Sequence, residues 1–221
     1  MRAYKFLSKQ FGLKSLYERR LKQSRIRELN DPFELRPYDI SEPMARSAFN
    51  AVREHFDREN GLICFSASWR DPVIWAHYAD KHYGLCLGFE VPEITGDDDH
   101  DIAKRVGYIS QPLPFPSDFQ SLPLAKKKAV SDTIPFTKFE HWGYEGEIRI
   151  WGRLSKEEDG IHYLEFEERM RLVEIIIGER CTLKRHDIIR TLGTHVDGVE
   201  IRKARAAFDR FEMIEDESGA R

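Results

Sequence analysis

The sequence predicts an α+β fold with a mostly antiparallel sheet and flanking helices. Helical periodicity dominates the first part of the chain and short apolar or alternating runs dominate the last. That segregation belongs to α+β proteins rather than to a regular βαβ alternation. No segment repeats, and 221 residues at 41% hydrophobic content suit one domain with a true core.

The elements follow in order. "AYKFLS" reads as a first strand. "LKSLYERRLKQSRI" places Leu13, Leu16, Tyr17 and Leu21 at helical spacing. Asn30-Asp31-Pro32 is a turn, because the residue before proline avoids helical geometry. Residues 41–59 open with Ser41, Glu42 and Pro43 and run as a helix to Asn60-Gly61. "GLICFSA" is a buried strand. "DPVIWAHYADKH" is a helix capped by Asp71, with Pro72 at its first position, and Gly84 ends it. "GLCLGFEV" is a strand, "TGDDDHD" an acidic loop and "AKRVGYIS" a strand. The four prolines at 111–123 make that stretch irregular, a surface loop or a lid. A helix at 122–133 follows. "GEIRIWGRL" and "RLVEIIIG" are strands, "LKRHDIIRTLG" is a helix, and "GVEIRKARAAF" and "FEMIED" are the last two strands. The tail, 216–221, is expected to fray.

Charge and cysteine usage exclude several classes. A net charge of −3 provides no global basic field for nucleic acid, although a local patch is compatible with it. Cys64, Cys86 and Cys181 lie far apart without metal-ligand spacing, which reads as reduced thiols. "MRAYKFLSKQ" lacks the apolar core of a signal peptide, and no apolar run reaches membrane-spanning length. The expectation is a cytoplasmic protein without a membrane partner.

The strongest chemical candidate is "HWGYEGEIRIW". At strand period two, Glu145, Glu147 and Arg149 share one face while Ile148 and Ile150 face the core. Paired carboxylates suit a site in which one charge steadies a cationic transition state and the other accepts a proton. A solvated face with Arg149 bridging the two glutamates is the plainer alternative. Ser66 and Ser68 end the "LICF" strand, where serines either turn the chain or line a cleft. No GxSxG elbow occurs, so serine hydrolysis is set aside. Trp75, Tyr78, Ala79 and His82 fall on one helical face, as core or as a pocket wall; His77 falls off it. Lys5 alternates with Tyr4 and Phe6, as on the wet side of an edge strand, and "AKKKAV" reads as a solvated helix face.

"LNDPFEL", "CFSASWRDPVIWAHYADKHYGLCLGFE", "WGYEGEIRI" and "VEIIIGERCT" occur in the order of the bacterial domain-of-unknown-function family 2971, and the chain resembles that family over nearly its whole length. The order of parts also distantly resembles the ADP-ribosyltransferase fold, which implies a split sheet with a cleft between its halves. That resemblance implies NAD as substrate and no metal. Lys5, Ser66 and Ser68 would hold NAD, and Trp75 or Tyr78 would stack on nicotinamide. Glu147 would steady the oxocarbenium-like transition state and Glu145 would serve the acceptor. Lys5 stands where the fold usually has Arg or His, and Ser-Ala-Ser replaces Ser-Thr-Ser. The activity implied is NAD-dependent ADP-ribosyl transfer or NAD cleavage, in a toxin or antiphage effector. The acceptor would be a nucleic acid or a protein, and an antitoxin or regulatory partner would restrain the effector. Glu147→Gln is expected to cost several orders of magnitude in rate and little stability.

Two other readings stand beside this one. In the first, a non-catalytic module binds a nucleotide or nucleic acid, and Glu145, Glu147 and Arg149 form a recognition row or an ion-pair network. In the second, a metal-dependent nuclease draws on Glu145, Glu147 and one of Asp31, His77 or His141.

Overall fold

The computed structural model describes residues 1–92, 102–155, 157–167 and 169–217. The acidic stretch at 95–101 and residues 218–221 of the tail lie outside them. The elements are β1 (Arg2–Leu7), α1 (Lys9–Glu18), β2 (Arg20–Gln23), β3 (Tyr38–Asp39), α2 (Pro43–Glu59), β4 (Asn60–Ser66), α3 (Pro72–Tyr78) and β5 (Leu85–Glu90). They continue with β6 (Ile102–Arg105), β7 (Gly107–Ile109), β8 (Leu113–Pro114), α4 (Leu124–Thr133), β9 (Thr137–Phe139), β10 (Glu147–Arg153), β11 (Glu157–Glu158) and β12 (Ile161–Glu165). The last are β13 (Arg171–Ile177), α5 (Arg185–Leu192), β14 (Glu200–Ala206) and β15 (Met213–Glu215). The architecture is mixed helix and sheet, with mostly antiparallel pairing. The chain divides into two compact units, Met1–Leu21 with Cys64–Glu93 and Tyr163–Arg221, and Lys22–Ile63 with Ile94–His162.

In the first unit the strand order is β15-β14-β13-β5-β1, followed by the Ser66 end of β4. Only β13 and β14 pair in parallel among these strands. One sheet face carries Phe6, Cys86, Ile176 and Ala204, which pack with Trp69, Ile74, Trp75 and Met213. The Asp71 side chain accepts from the Val73 and Ile74 N–H groups, the predicted cap of α3. The helix stops sooner than its periodicity suggests. Asp80, Lys81 and His82 all adopt left-handed φ, at 47°, 54° and 73°, a run that no right-handed helix continues through. The first helix is also shorter than expected. Arg19, at φ 54°, closes α1 and the chain turns into β2, where Leu21 is buried and Tyr17 is left 79% exposed. Leucines at that spacing satisfy a helix or a helix followed by a strand, so periodicity alone did not separate the two.

In the second unit β10 lies between the start of β4 and β6. Of its residues only Arg153 is exposed; the rest are buried. Phe56 of α2 packs edge-on against Trp151, with ring centroids 5.1 Å apart. The basic run on α4 is a solvated helix face, with Lys128 paired to Asp132 at 3.2 Å. "AKRVGYIS" is two strands rather than one. Val106 donates its N–H to the Glu147 carbonyl at 2.9 Å. After this break β6 has paired with β10, and β7 pairs in parallel with β9. The proline-rich stretch holds only the two-residue β8 and a 3₁₀ turn at Phe119–Ser121.

Candidate functional site: a buried carboxylate and cation cluster

Five charged side chains of the second unit converge, those of Glu34, Lys138, Glu145, Glu147 and Arg149, none more than 9% exposed. Glu34 follows the predicted turn. Asp31 accepts from the Phe33 N–H with its side chain and from the Glu34 N–H with its carbonyl, which sets the direction of Glu34. Lys138 comes from β9 and Arg149 from β10. Glu145 closes a 3₁₀ turn over residues 140–145, Gly146 takes a left-handed φ of 50°, and β10 begins at Glu147. The strand-period argument therefore holds for Glu147 with Arg149 but not for Glu145.

A single ammonium gathers the carboxylates instead. Lys138 Nζ lies 2.7 Å from Glu145 Oε2, 3.1 Å from Glu147 Oε2 and 2.9 Å from Glu34 Oε1. Arg149 donates from Nε to Glu147 Oε1 at 2.7 Å and from Nη2 to Glu147 Oε2 at 3.0 Å and Glu34 Oε2 at 2.7 Å. Its Nη1 donates to the Pro135 carbonyl at 2.8 Å. Burial opposes the charge on Lys138. The attraction of Glu147 and Glu34 and the hydrogen bonds to Glu145 and Glu34 outweigh it, so its pKa stands above the ordinary lysine value. The half-buried Trp142 ring covers the same ammonium, its centroid 4.7 Å from Nζ. Tyr108 accepts the Glu147 backbone N–H at its hydroxyl, at 2.8 Å.

Within this set three carboxylates meet two cations, leaving one formal negative charge. Buried ion pairs stabilise a fold poorly, because desolvation takes back most of the Coulombic gain. Buried, charge-perturbed clusters of this kind occur at functional sites and in structural ion-pair networks alike. The Lys138 ammonium lies between the three carboxylates. Among the described residues no group of three or more His, Cys, Asp and Glu could hold a metal.

The remaining candidates lie in the first unit. Tyr4 pairs directly with Ser66, so strand alternation sends Lys5 to the opposite face of the sheet from Ser66. β1 is an interior strand between β5 and β4 rather than an edge, and Lys5 Nζ donates to the Cys64 carbonyl at 3.0 Å. The first-strand residue that shares the face of Ser66 is Tyr4, whose hydroxyl engages Glu174. Burial, reinforced by Glu174, pushes its pKa up to about 12. Ser66 Oγ donates to the Ser68 carbonyl at 3.0 Å and accepts the Ser68 N–H at 3.3 Å, while Ser68 Oγ accepts the Arg70 N–H at 3.1 Å. Both serines thus shape the turn after β4. Trp75 is a core residue, 0% exposed; its Nε1 donates to the Trp69 carbonyl at 2.6 Å and its ring stands edge-on to Phe6. Tyr78 is 37% exposed and, with His77 and Phe11, lines a concavity of about 700 Å³.

Residues 74–150 match the family described as Protein of unknown function (DUF2971). The matched segment holds Tyr108, Lys138, Trp142, Glu145, Glu147 and Arg149, leaving only Glu34 of the cluster outside. It also leaves out "LNDPFEL" and "VEIIIGERCT", so the match is narrower than the resemblance in the sequence. No curated protein and no solved structure matches the chain.

Sequence reasoning missed Glu34, Lys138, Tyr108 and Trp142 as site residues. Lys138 alternates with Thr137 and Phe139 as any strand lysine does. Nothing in its spacing announces three carboxylate partners.

Proposed function

We propose that the protein is an NAD-dependent ADP-ribosyltransferase or an NAD-cleaving relative, with the carboxylate cluster facing the ribosyl centre. The observation that carries this reading is the convergence of the buried Glu34, Glu145 and Glu147 carboxylates on one ammonium, that of Lys138. Nicotinamide leaves NAD as a neutral molecule from a cation, so the chemical difficulty is the positive ribose carbon. A preoriented negative charge in a poorly solvated setting favours that carbon electrostatically. Trp142 and Tyr144, with rings 6.1 Å apart, would supply the aromatic wall at this cluster. They replace Trp75, whose ring is enclosed by core, as the stacking candidates. The acceptor would be a macromolecule, and a toxin or antiphage role would follow from it.

One observation favours a second reading. Both Glu147 oxygens are engaged by Arg149 and Lys138, and the residue is 3% exposed. A carboxylate so saturated suits a module that binds a nucleotide without turning it over.

Nicotinamide release from NAD, followed by chromatography beside Glu147→Gln, separates the two. The transferase reading expects release by the wild type and a loss of about 100-fold or more in the variant. Because Glu147 accepts three buried charge-assisted bonds, the variant will also melt lower, contrary to the little cost expected from sequence. Its fold must therefore be verified at the assay temperature. NAD binding by calorimetry without release supports the binding module. Neither binding nor release refutes both.

A further inference from the structure

β7 and β9 form a parallel ribbon in which Tyr108 is directly opposite Lys138, so both side chains leave it on one face. The cluster's cations have their donors engaged. The three N–H groups of Lys138 meet three carboxylates, and Arg149 serves Glu147, Glu34 and the Pro135 carbonyl. Glu145 and Glu147, when ionised, only accept. Tyr108 differs from both groups. Its oxygen takes the Glu147 N–H, and among the described residues its own O–H has no acceptor. The residue is half-buried, so that donor is not lost in bulk water.

A sugar hydroxyl complements this arrangement. It can donate its hydrogen to a carboxylate and accept from a phenol at once. Neither an ammonium nor a carboxylate ligand makes both bonds. We propose that Tyr108 is the ligand-facing hydrogen-bond donor of the site, reading a ribose hydroxyl whose own hydrogen goes to Glu145. Glu145 has the more exposed side chain of the ExE pair, at 8% against 4% for Glu147. Burial raises the Tyr108 pKa, the Glu147 N–H bond pulls it down, and the carboxylates of Glu147 and Glu145 raise it further. The net shift is upward, so the phenol remains a donor throughout the neutral range. This inference rests on the cluster being a ribosyl site.

The test is calorimetric binding of NAD to the wild type and to Tyr108→Phe. The binding is repeated with NAD analogues that lack the 2′- or the 3′-hydroxyl of the nicotinamide ribose. Tyr108→Phe keeps the ring and removes the donor, and is expected to weaken NAD about tenfold. With one of the two deoxy analogues that penalty should vanish, because the lost donor no longer has an acceptor. A purely structural effect, such as the Glu147 N–H left unpaired, would weaken all three ligands alike and overturn the assignment of Tyr108. NAD binding unchanged by Tyr108→Phe overturns it too, with the ribosyl reading intact. No NAD binding by the wild type overturns both.

Discussion

Replacing Lys138 by Met tests whether one ammonium holds the cluster together. Methionine fills a similar volume without charge or donors. Glu34, Glu145 and Glu147 would then face one another with only Arg149 among them in this set, and the formal charge would go from −1 to −2. Removing one partner from a buried ionic cluster costs about 3–5 kcal/mol. For a chain of this size each kcal/mol lowers Tm by about 2–4 °C, so the expected fall is roughly 6–20 °C. The sign of the pH dependence follows from Lys138. Its folded pKa stands above the ordinary value of 10.5, so its contribution is fully present below 10.5 and is lost as pH rises through the folded value. The gap between wild type and variant should therefore be flat across the neutral range. Thermal melts followed by circular dichroism check this. The double variant Lys138→Met/Glu145→Gln removes a carboxylate along with the ammonium and should recover part of the loss, a coupling that distant sites would not show. A Lys138→Met protein melting within about 2 °C of wild type, or no recovery in the double variant, would refute the argument.

Two further outcomes follow from the first unit. Tyr4 should titrate near 12 in an absorbance titration of the folded protein. Its folded pKa is raised, so its contribution to stability is complete below the ordinary tyrosine value of 10.0 and is lost as pH rises through about 12. Tyr4→Phe should remove that alkaline phase of destabilisation. Gly84→Ala would set a Cβ 2.0 Å from the Leu7 carbonyl oxygen and 2.8 Å from that of Ala79, both backbone atoms. It should destabilise by about 3 kcal/mol or more, read by denaturant titration, and a cost below about 1 kcal/mol would contradict the placement of this turn.

Much of the architecture was legible because local chemistry dictates it. The Asp71-Pro72 start of α3, the run of β-branched residues in β13 and the glycine punctuation at Gly84 and Gly178 announce their elements whatever packs against them. The Glu147 and Arg149 pairing was legible too, since period-two geometry places them side by side. The end of α1, the break at Val106 and the left-handed run at 80–82 were not. In each, several backbone paths fit the same apolar spacing, and contacts distant in sequence chose one.

For the site, sequence alone determined which residue types were available and that two carboxylates and a guanidinium lie within five positions. Only the tertiary structure decided what neutralises them. Glu34 meets Arg149 across 115 positions, and Lys138 reaches three carboxylates from a strand whose pattern is that of any exposed ribbon. It also decided that Lys5 and Ser66 take opposite faces, since strand pairing sets register and one residue of register reverses a face. Charge partners are chosen by distance in space under low dielectric, and no spacing rule along the chain encodes that distance.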